Sequence, residues 1–146
     1  MLGFMQALSR IESSEVFRGY QKKNAESYLT NSLYINEWQI NFYSKKTKLI
    51  TSFTTNGKVN KKVMDGKNKE FPMLNKNKIK IDITKAIEIS GIRQEGTAII
   101  IIQTENSVPI WNISIPTLSL KVINSKISAE SGEILEKSEK NVIALR

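Results

Sequence analysis

The chain of 146 residues contains no cysteine and no histidine, and these two absences exclude much of the common chemistry of enzymes. Without cysteine there is no disulfide, no thiolate nucleophile and no cysteine metal site, a pattern typical of a reducing compartment. Without histidine the chain lacks the commonest general base and the commonest ligand of transition metals. Ser-His-Asp and Cys-His catalysis and zinc hydrolysis are therefore excluded, and only carboxylate or lysine chemistry remains.

The carboxylates form no recognisable catalytic or metal-binding pattern. The segment "DGKNKE" from Asp65 to Glu70 lacks the oxygen ligands of a calcium loop. Asp82 precedes a predicted helix, where capping is its simplest role, and Glu130 and Glu133 flank a predicted turn. A glycine-rich phosphate-binding motif is also absent. We therefore predict that the protein is not an enzyme and that it uses no metal and no cofactor.

Long hydrophobic runs are missing as well. The longest, "AIIII" at Ala98–Ile102, is far shorter than the roughly 20 residues that a helix needs to cross a bilayer. The first ten residues, "MLGFMQALSR", have no basic start and only a short, interrupted apolar stretch, so they are a poor signal peptide. The sequence predicts no membrane span and a cytoplasmic location.

Positive charge is abundant but unevenly placed, since the net charge of +8 lies almost entirely between Lys45 and Lys85. Such a segment can bind RNA or another acidic surface by neutralising phosphates or carboxylates. The alternative is a solvated face in a protein whose 18 lysines, 21 isoleucines and 13 asparagines are typical of an AT-rich genome. Only 4 residues are arginine, which is the better residue for bidentate phosphate recognition. The lysines of this possible basic surface are Lys45, Lys46, Lys48, Lys58, Lys61, Lys62, Lys67 and Lys69.

Alternation of apolar and polar residues predicts antiparallel strands in two parts of the chain. Around the two tryptophans, "WQINFY" from Trp38 and "WNISIP" from Trp111 each place one apolar face toward a core. The dipeptide Asn56-Gly57 is a strong hairpin signal, and Gly132 suits a turn that needs positive φ. The run Ala98–Ile102 is apolar on both faces, which is typical of a central strand covered on both sides.

Two segments have helical patterns. Residues 13–34 combine a serine cap with an interrupted apolar stripe, which predicts one helix or two short ones. The spacing of Ile83, Ala86, Ile87 and Ser90 predicts a second short helix, with Asp82 or Thr84 as its N-cap and Gly91 as its C-cap. Residues 1–12 show no clear period, and residues 60–78 are interpreted as a long connection.

Each tryptophan strand follows a helical segment and precedes a strand and a glycine turn, so we predict an imperfect internal duplication. The predicted class is α+β, with short helices packed on antiparallel meanders. The predicted parts are an N-terminal segment (1–12), a helix-plus-meander half (13–63), a lysine-rich connection (64–78), a second half (79–136) and a C-terminal tail (137–146). The predicted core residues are Trp38, Ile40, Phe42, Ile87, Ile100, Trp111, Ile113 and Ile115.

The segments "IDITKAIEIS", "AIIIIQ", "PIWNISIP" and "LKVINSKISAESGEIL" together resemble a PepSY-like domain, and this resemblance implies the cystatin-like α+β class. The matching features are a helix with small residues, two strands with a tryptophan near the start of one, and a closing hairpin of the type D-A-x-T-G-E-I-L. In this chain Ser128 replaces the aspartate of that hairpin and Ser131 replaces its threonine. The resemblance covers about residues 79–136 and implies a non-catalytic module of the kind associated with peptidase regulation or cell-envelope proteins.

Two functions follow as hypotheses. The first is a small binding or regulatory module that contacts a protein partner, or a second copy of itself, through a sheet face or edge. The doubly apolar strand at Ala98–Ile102 supports it, because its second side needs cover. The alternative is binding of RNA or an acidic surface by the segment Lys45–Lys85.

Overall fold

A computed structural model describes residues 1–55, 57–67, 69–92 and 96–141 of the chain. The helices and strands, in chain order, are α1 (Phe4–Glu12), α2 (Glu15–Lys23), β1 (Tyr28–Ile35), β2 (Glu37–Tyr43), β3 (Leu49–Thr54), β4 (Asn60–Asp65), α3 (Ile83–Ser90), β5 (Ile99–Glu105), β6 (Val108–Pro116), β7 (Lys121–Ser128) and β8 (Ile134–Asn141). A single 3-10 turn at Lys76–Lys78 precedes α3.

All eight strands form one antiparallel sheet in the order β4-β3-β2-β1-β5-β6-β7-β8. Each group of four consecutive strands is a meander, so every strand pairs with its neighbour in sequence except at the junction of the groups. There β1 pairs antiparallel with β5 and joins the two meanders into one sheet.

The pairing of the strands has two-fold symmetry around this junction. Ser32 lies opposite Ile102 and Tyr34 lies opposite Ile100. Ser32 and Ile100 also hold equivalent places in their own meanders, opposite Ile40 in β2 and opposite Ile113 in β6 respectively. The pair Leu33–Ile101 therefore sits at the centre of the symmetry.

The helices cover one face of the sheet. Phe4 of α1 contacts both Trp38 and Trp111, with ring centroids 5.4 and 6.4 Å apart. Phe17 of α2 packs on Phe42 of β2 and on Phe53 of β3, with ring centroids 5.0 and 5.3 Å away. Helix α3 lies against β6 and β7. The core is therefore a layer between one sheet face and three short helices, which are stable only through this docking.

Both indole N–H groups anchor a helix start to the sheet. Trp38 Nε1 donates to the carbonyl of Leu2 at 2.8 Å, just before α1. Trp111 Nε1 donates to the carbonyl of Ile81 at 2.7 Å, just before α3. In each case the accepting residue immediately precedes the N-cap residue of its helix, Gly3 or Asp82. The two tryptophans thus perform the same structural task in the two meanders.

The predicted class, α+β with a cystatin-like arrangement, is wrong. The fold is mainly β, because three segments without a strand prediction belong to the sheet. Residues 28–34 of the predicted helical region form most of β1, part of the predicted connection 60–78 forms β4, and the predicted tail contributes to β8. In β1 the buried residues Thr30 and Ser32 are polar, and β4 and β8 are almost wholly exposed, so apolar alternation gives little signal for these segments.

The interpretation that residues 1–12 have no clear period is also wrong. Phe4, Ala7, Leu8 and Ile11 are all buried in α1, and they follow the i, i+3, i+4, i+7 spacing of an amphipathic helix. The helix predicted across residues 13–34 ends at Lys23. The helix ends there because Asn24 adopts a non-helical conformation and its side-chain amide donates a hydrogen bond to the carbonyl of Tyr20.

Smaller differences concern turns. Alternation predicts a strand with a bulge near Val122 that includes Leu118 and Leu120, but β7 begins at Lys121 and its irregular register lies between Lys126 and Ile127. Leu118 and Leu120 occupy the preceding turn, where Leu120 has a φ of 60°. Gly91 and Gly132 have the positive φ predicted for them. The predicted Asn56-Gly57 turn and the end of the predicted C-terminal tail, residues 142–146, involve positions outside the described residues.

Candidate functional site: the open sheet face

The helices leave the opposite face of the sheet uncovered, and we call it the open face. One row of side chains crosses its centre. Gln39 lies opposite Leu33, Leu33 opposite Ile101, and Ile101 opposite Asn112. Since all four have the parity opposite to the buried tryptophans, they project away from the helices.

Aliphatic residues continue from the middle of this row toward one end of the sheet. Ile35 follows Leu33 by two positions and Ile99 precedes Ile101 by two, so all four share the open face. Ile35 is 38% exposed and Ile99 is 43% exposed, while Leu33 and Ile101 are half-buried. We call these four residues the aliphatic strip. The run Ala98–Ile102 contributes to a central strand, as predicted, and the second side of that strand is covered only in part, since Ile101 is half-buried and Ile99 is exposed.

On both sides of the aliphatic strip, side-chain amides and hydroxyls form hydrogen bonds with one another. In the first meander Asn41 donates to Asn31 at 2.6 Å and accepts from Ser52 at 2.6 Å. In the second meander Asn124 donates to Asn112 at 2.5 Å and to Ser114 at 2.8 Å. These contacts run between neighbouring strands and hold the side chains in place, and in the first meander Asn41 and Ser52 are buried. The strip therefore lies between two ordered, uncharged polar networks.

At one corner of the open face the chain builds a cavity of ≈ 600 Å³ by bringing two distant segments together. The turn between β2 and β3 meets the segment after β4, where Gly66 N donates to the carbonyl of Lys48 at 3.0 Å. A Cβ at Gly66 would lie 2.7 Å from that carbonyl oxygen, so the approach requires glycine.

Three aromatic rings form the inner wall of this cavity. Tyr43 packs against Tyr28 and Phe71, with ring centroids 5.9 and 5.0 Å away. Both tyrosine hydroxyls are used by the wall itself, since Tyr28 donates to the carbonyl of Phe71 at 2.5 Å and Tyr43 to that of Lys69 at 3.3 Å. Burial raises the pKa of Tyr28, and the neighbouring Tyr43 and Glu70 raise it further.

Lysines form the rim. Lys45, Lys48 and Lys69 are exposed and line the cavity together with a single carboxylate, Glu70. Lys45 Nζ lies 6.0 Å from the centre of the Tyr28 ring. Among the described residues, none of these three lysines has a carboxylate within 4.0 Å, the distance of an ion pair. We call this group of three aromatic residues and three lysines the basic cavity.

The other lysines of the predicted basic surface lie elsewhere. Lys58 is in the turn at the opposite end of β3 and β4. Lys61 and Lys62 are neighbours in β4 and therefore project to opposite faces of the sheet. Lys46 is in the same turn as Lys45, but its positive charge interacts with Glu26 and helps to lower the pKa of that carboxylate. Lys67 follows β4 in a turn closed by Asp65. The eight lysines do not form one continuous surface.

The residues predicted for the core all lie on the helix side of the sheet or in α3. Trp38 is 1% exposed, and Trp111 is fully buried between the sheet and the helices. The remaining sheet residues of that set, Ile40, Phe42, Ile100, Ile113 and Ile115, are buried in the same layer. Ile87 is only half-buried, at the rim of the core.

Two features of the site could not be predicted from sequence patterns: the aromatic wall and the attachment of the connecting segment to β1. The aromatic wall joins Tyr28 and Tyr43 in the first meander to Phe71 in the connection, and alternation carries no information about that long-range contact. The segment of the connection is held by Thr30, which donates to the carbonyl of Pro72, and by Leu74, which donates to the carbonyl of Leu29. The clustering of lysine and aromatic residues in the sequence is the only signal that points to this site.

The side chains of this surface are mainly aliphatic groups, amides, hydroxyls, aromatic rings and lysine ammonium groups. Over the part of the chain that the structure describes, no group of three acidic side chains is placed to hold a metal ion. Within the same residues no helix is long and apolar enough to cross a membrane. Lys126 near the far edge is held by Glu105 at 3.1 Å, and that hydrogen bond is the main reason why the pKa of Lys126 is raised.

The fold and this surface define a class: a mainly β protein with one eight-stranded antiparallel sheet, helices on one face and an open second face. No family model and no curated protein matches the chain. A solved structure with a similar fold is described as that of a "putative lipoprotein" from Clostridium difficile 630. It has 13% sequence identity and a TM-score of 0.63, and the match covers 96% of this chain and 100% of the other. This likeness shows the shared fold, and the PepSY-like resemblance stays a prediction.

Proposed function

We propose that the protein is a non-catalytic binding module and that its open face contacts a protein partner with an acidic rim. The observation that carries the proposal is the aliphatic strip. Ile35 and Ile99 are two of the larger exposed apolar side chains, and they lie on the two adjacent strands at the middle of the sheet. An exposed apolar centre surrounded by ordered polar groups is the usual anatomy of a protein interface.

The charge of the open face indicates the chemistry of the partner. Lys62 projects from β4 on this side, and the basic cavity lies at the same half of the sheet. Their lysines have no ion-pair partner among the described residues, whereas Lys126 in the other half contacts Glu105 and Glu136. An acidic rim on the partner would complement this charge and would accelerate association.

A second copy of the chain fits less well than an acidic partner. Each copy has a net charge of +8, so stacking two open faces would bring unneutralised lysines together. Binding of RNA by the whole predicted basic segment is also less favoured. Lys61 projects to the face opposite Lys62, and Lys58 lies in the turn at the other end of β3 and β4, so neither shares a surface with the basic cavity.

Two further points support a binding role. The PepSY-like resemblance of residues 79–136 implies a module without catalysis. The structural neighbour is described as a "putative lipoprotein", and we propose the cell envelope as one setting for contacts with other proteins. The cytoplasmic location predicted from the sequence is the alternative setting.

The test uses a photo-reactive residue at position 99 in the full chain, followed by identification of the crosslinked protein and measurement of its binding after purification. The double variant Ile35→Thr/Ile99→Thr keeps β-branched side chains in the strands and removes their apolar ends. The matched control is Ile134→Thr, an exposed strand isoleucine in β8 that is 46% exposed and lies outside the strip.

We expect an acidic protein to be crosslinked, and we expect its affinity to fall by about 10-fold or more in the double variant and to stay unchanged in the control. Binding should also weaken as the salt concentration rises. Crosslinks to a second copy of the chain, an equal loss in both variants, or capture at position 134 as efficient as at position 99 would each contradict the proposal.

A further inference from the structure

The basic cavity has features of a small-molecule site that the protein-binding proposal does not require. Its volume of ≈ 600 Å³ lies within the usual range of such sites, roughly 300–1,000 Å³. Its inner wall is held in place by hydrogen bonds and by the contact between Gly66 and Lys48. A wall that is fixed before binding loses little entropy when a ligand enters.

The polar groups of the wall are already used, which limits what a ligand can contact. The hydroxyls of Tyr28 and Tyr43 donate to carbonyls of the segment that forms the wall. The surface that remains consists of ring carbons of Tyr28 and Phe71, the side chain of Met73, and the lysine ammonium groups. The cavity therefore offers apolar contact and positive charge.

The balance of charge at the rim favours an anion. Three lysines and one glutamate line the cavity, and these lysines have no ion-pair partner among the described residues. A carboxylate or phosphate group could accept hydrogen bonds from more than one ammonium group at once, and such charge-assisted bonds are stronger than neutral ones. A cationic ligand would find only Glu70.

We propose that the basic cavity binds a small organic anion, in which one carboxylate or phosphate group contacts Lys45, Lys48 and Lys69 and an apolar or aromatic body packs against the rings of Tyr28 and Phe71. The anionic group lies at the rim beside the three lysine ammonium groups. The body of the ligand fills the space beside Met73. This site is separate from the aliphatic strip, and its three lysines also belong to the positive charge that favours an acidic protein partner.

The test measures binding of phenyl phosphate and benzoate to the full chain at constant ionic strength, by titration of backbone amide signals and by calorimetry. Benzyl alcohol has a similar ring without charge, and inorganic phosphate has the charge without a ring. The variant Lys45→Gln/Lys48→Gln/Lys69→Gln removes the rim. The control Lys58→Gln/Lys61→Gln/Lys62→Gln removes the same charge from the same basic segment outside the cavity.

We expect saturable shifts at Tyr28, Tyr43 and Phe71 with at least one of the two aryl anions, and about 10-fold weaker binding or none for benzyl alcohol and for inorganic phosphate. The rim variant should lose affinity by about 10-fold, and the control by less than about 2-fold. The ratio between phenyl phosphate and benzoate identifies the preferred anionic group.

Three results would overturn the proposal: no saturable binding of either aryl anion, equal loss in the two triple variants, or inorganic phosphate binding as tightly as phenyl phosphate. Circular dichroism and thermal unfolding check that both variants are folded, which is expected because all six lysines are exposed. The variant Ile35→Thr/Ile99→Thr should bind the aryl anions normally, so failure of the protein-binding proposal would be recognised separately.

Discussion

The rings of Trp38 and Trp111 contact each other in the core, with centroids 6.2 Å apart and planes inclined by 55°. They come from different meanders, and Phe4 of α1 packs against both. One short helix therefore covers the junction of the two meanders. Because each indole also bonds the chain just before a helix, loss of either ring should disturb both the sheet and a helix start.

Replacement of Trp111 by alanine should lower the free energy of unfolding by about 3–5 kcal/mol, because a fully buried large side chain is lost and a cavity remains. Replacement by phenylalanine should cost about 1–3 kcal/mol, since a ring remains but the carbonyl of Ile81 loses its donor. Urea unfolding gives both values. If the alanine variant does not fold, the phenylalanine variant still tests the role of the indole N–H group. An unchanged stability of the phenylalanine variant would contradict that role.

Gly66→Ala should destabilise the protein by about 1–3 kcal/mol, because the new Cβ would lie 2.7 Å from the carbonyl oxygen of Lys48 and 3.2 Å from the Tyr43 ring. The matched control is Gly19→Ala in α2, where no atom lies within 4 Å of the new Cβ. That change should stabilise the helix by about 0.5–1 kcal/mol. In thermal and urea unfolding, the midpoint should therefore fall for Gly66→Ala and rise for Gly19→Ala. A rise in both variants would contradict the close approach of Gly66 to Lys48.

Asp82 should stabilise the start of α1 rather than its own helix. It occupies the N-cap position of α3 without a capping bond there, and its Oδ1 accepts from Phe4 N at 3.2 Å. Asp82→Ala should cost about 0.5–2 kcal/mol, while Asp82→Asn keeps an acceptor and should cost less. Hydrogen exchange at the Phe4 amide should accelerate in the alanine variant. Unchanged exchange at Phe4, with faster exchange at the start of α3, would assign the cap to α3 instead.

Glu26 should titrate below its ordinary range. Its pKa is lowered mainly by the hydrogen bond donated by Ser44, then by a backbone hydrogen bond and by Lys46. Since the folded pKa lies below the unfolded one, the ionised carboxylate stabilises the fold above the unfolded pKa, and this contribution is lost as the pH falls through the folded pKa. Ser44→Ala should move the pKa of Glu26 upward in a carboxyl NMR titration, and Thr47→Ala serves as a control in the same turn. A pKa of Glu26 that does not change in Ser44→Ala would contradict this assignment.

Local sequence patterns identified the strands that expose one face and bury the other. Alternation from Trp38 and from Trp111 corresponds to β2 and β6, because a strand with one buried face must repeat every two residues. The same reasoning failed for β4 and β8, whose exposed polar residues at the sheet edges leave no alternation to detect. It also failed for α1, although the spacing of Phe4, Ala7, Leu8 and Ile11 was present in the sequence.

The sequence by itself determined that strands run from Trp38 and from Trp111, that glycine turns lie at Gly91 and Gly132, and that histidine and cysteine chemistry is excluded, because each depends only on residue type or short-range spacing. Only the tertiary structure decided that β1 pairs with β5, which leaves Ile99 on an open face, and that Gly66 meets Lys48, which builds the basic cavity. Such contacts join residues far apart in the chain. They are decided by which surfaces the whole chain can bury together, and no local period encodes that choice.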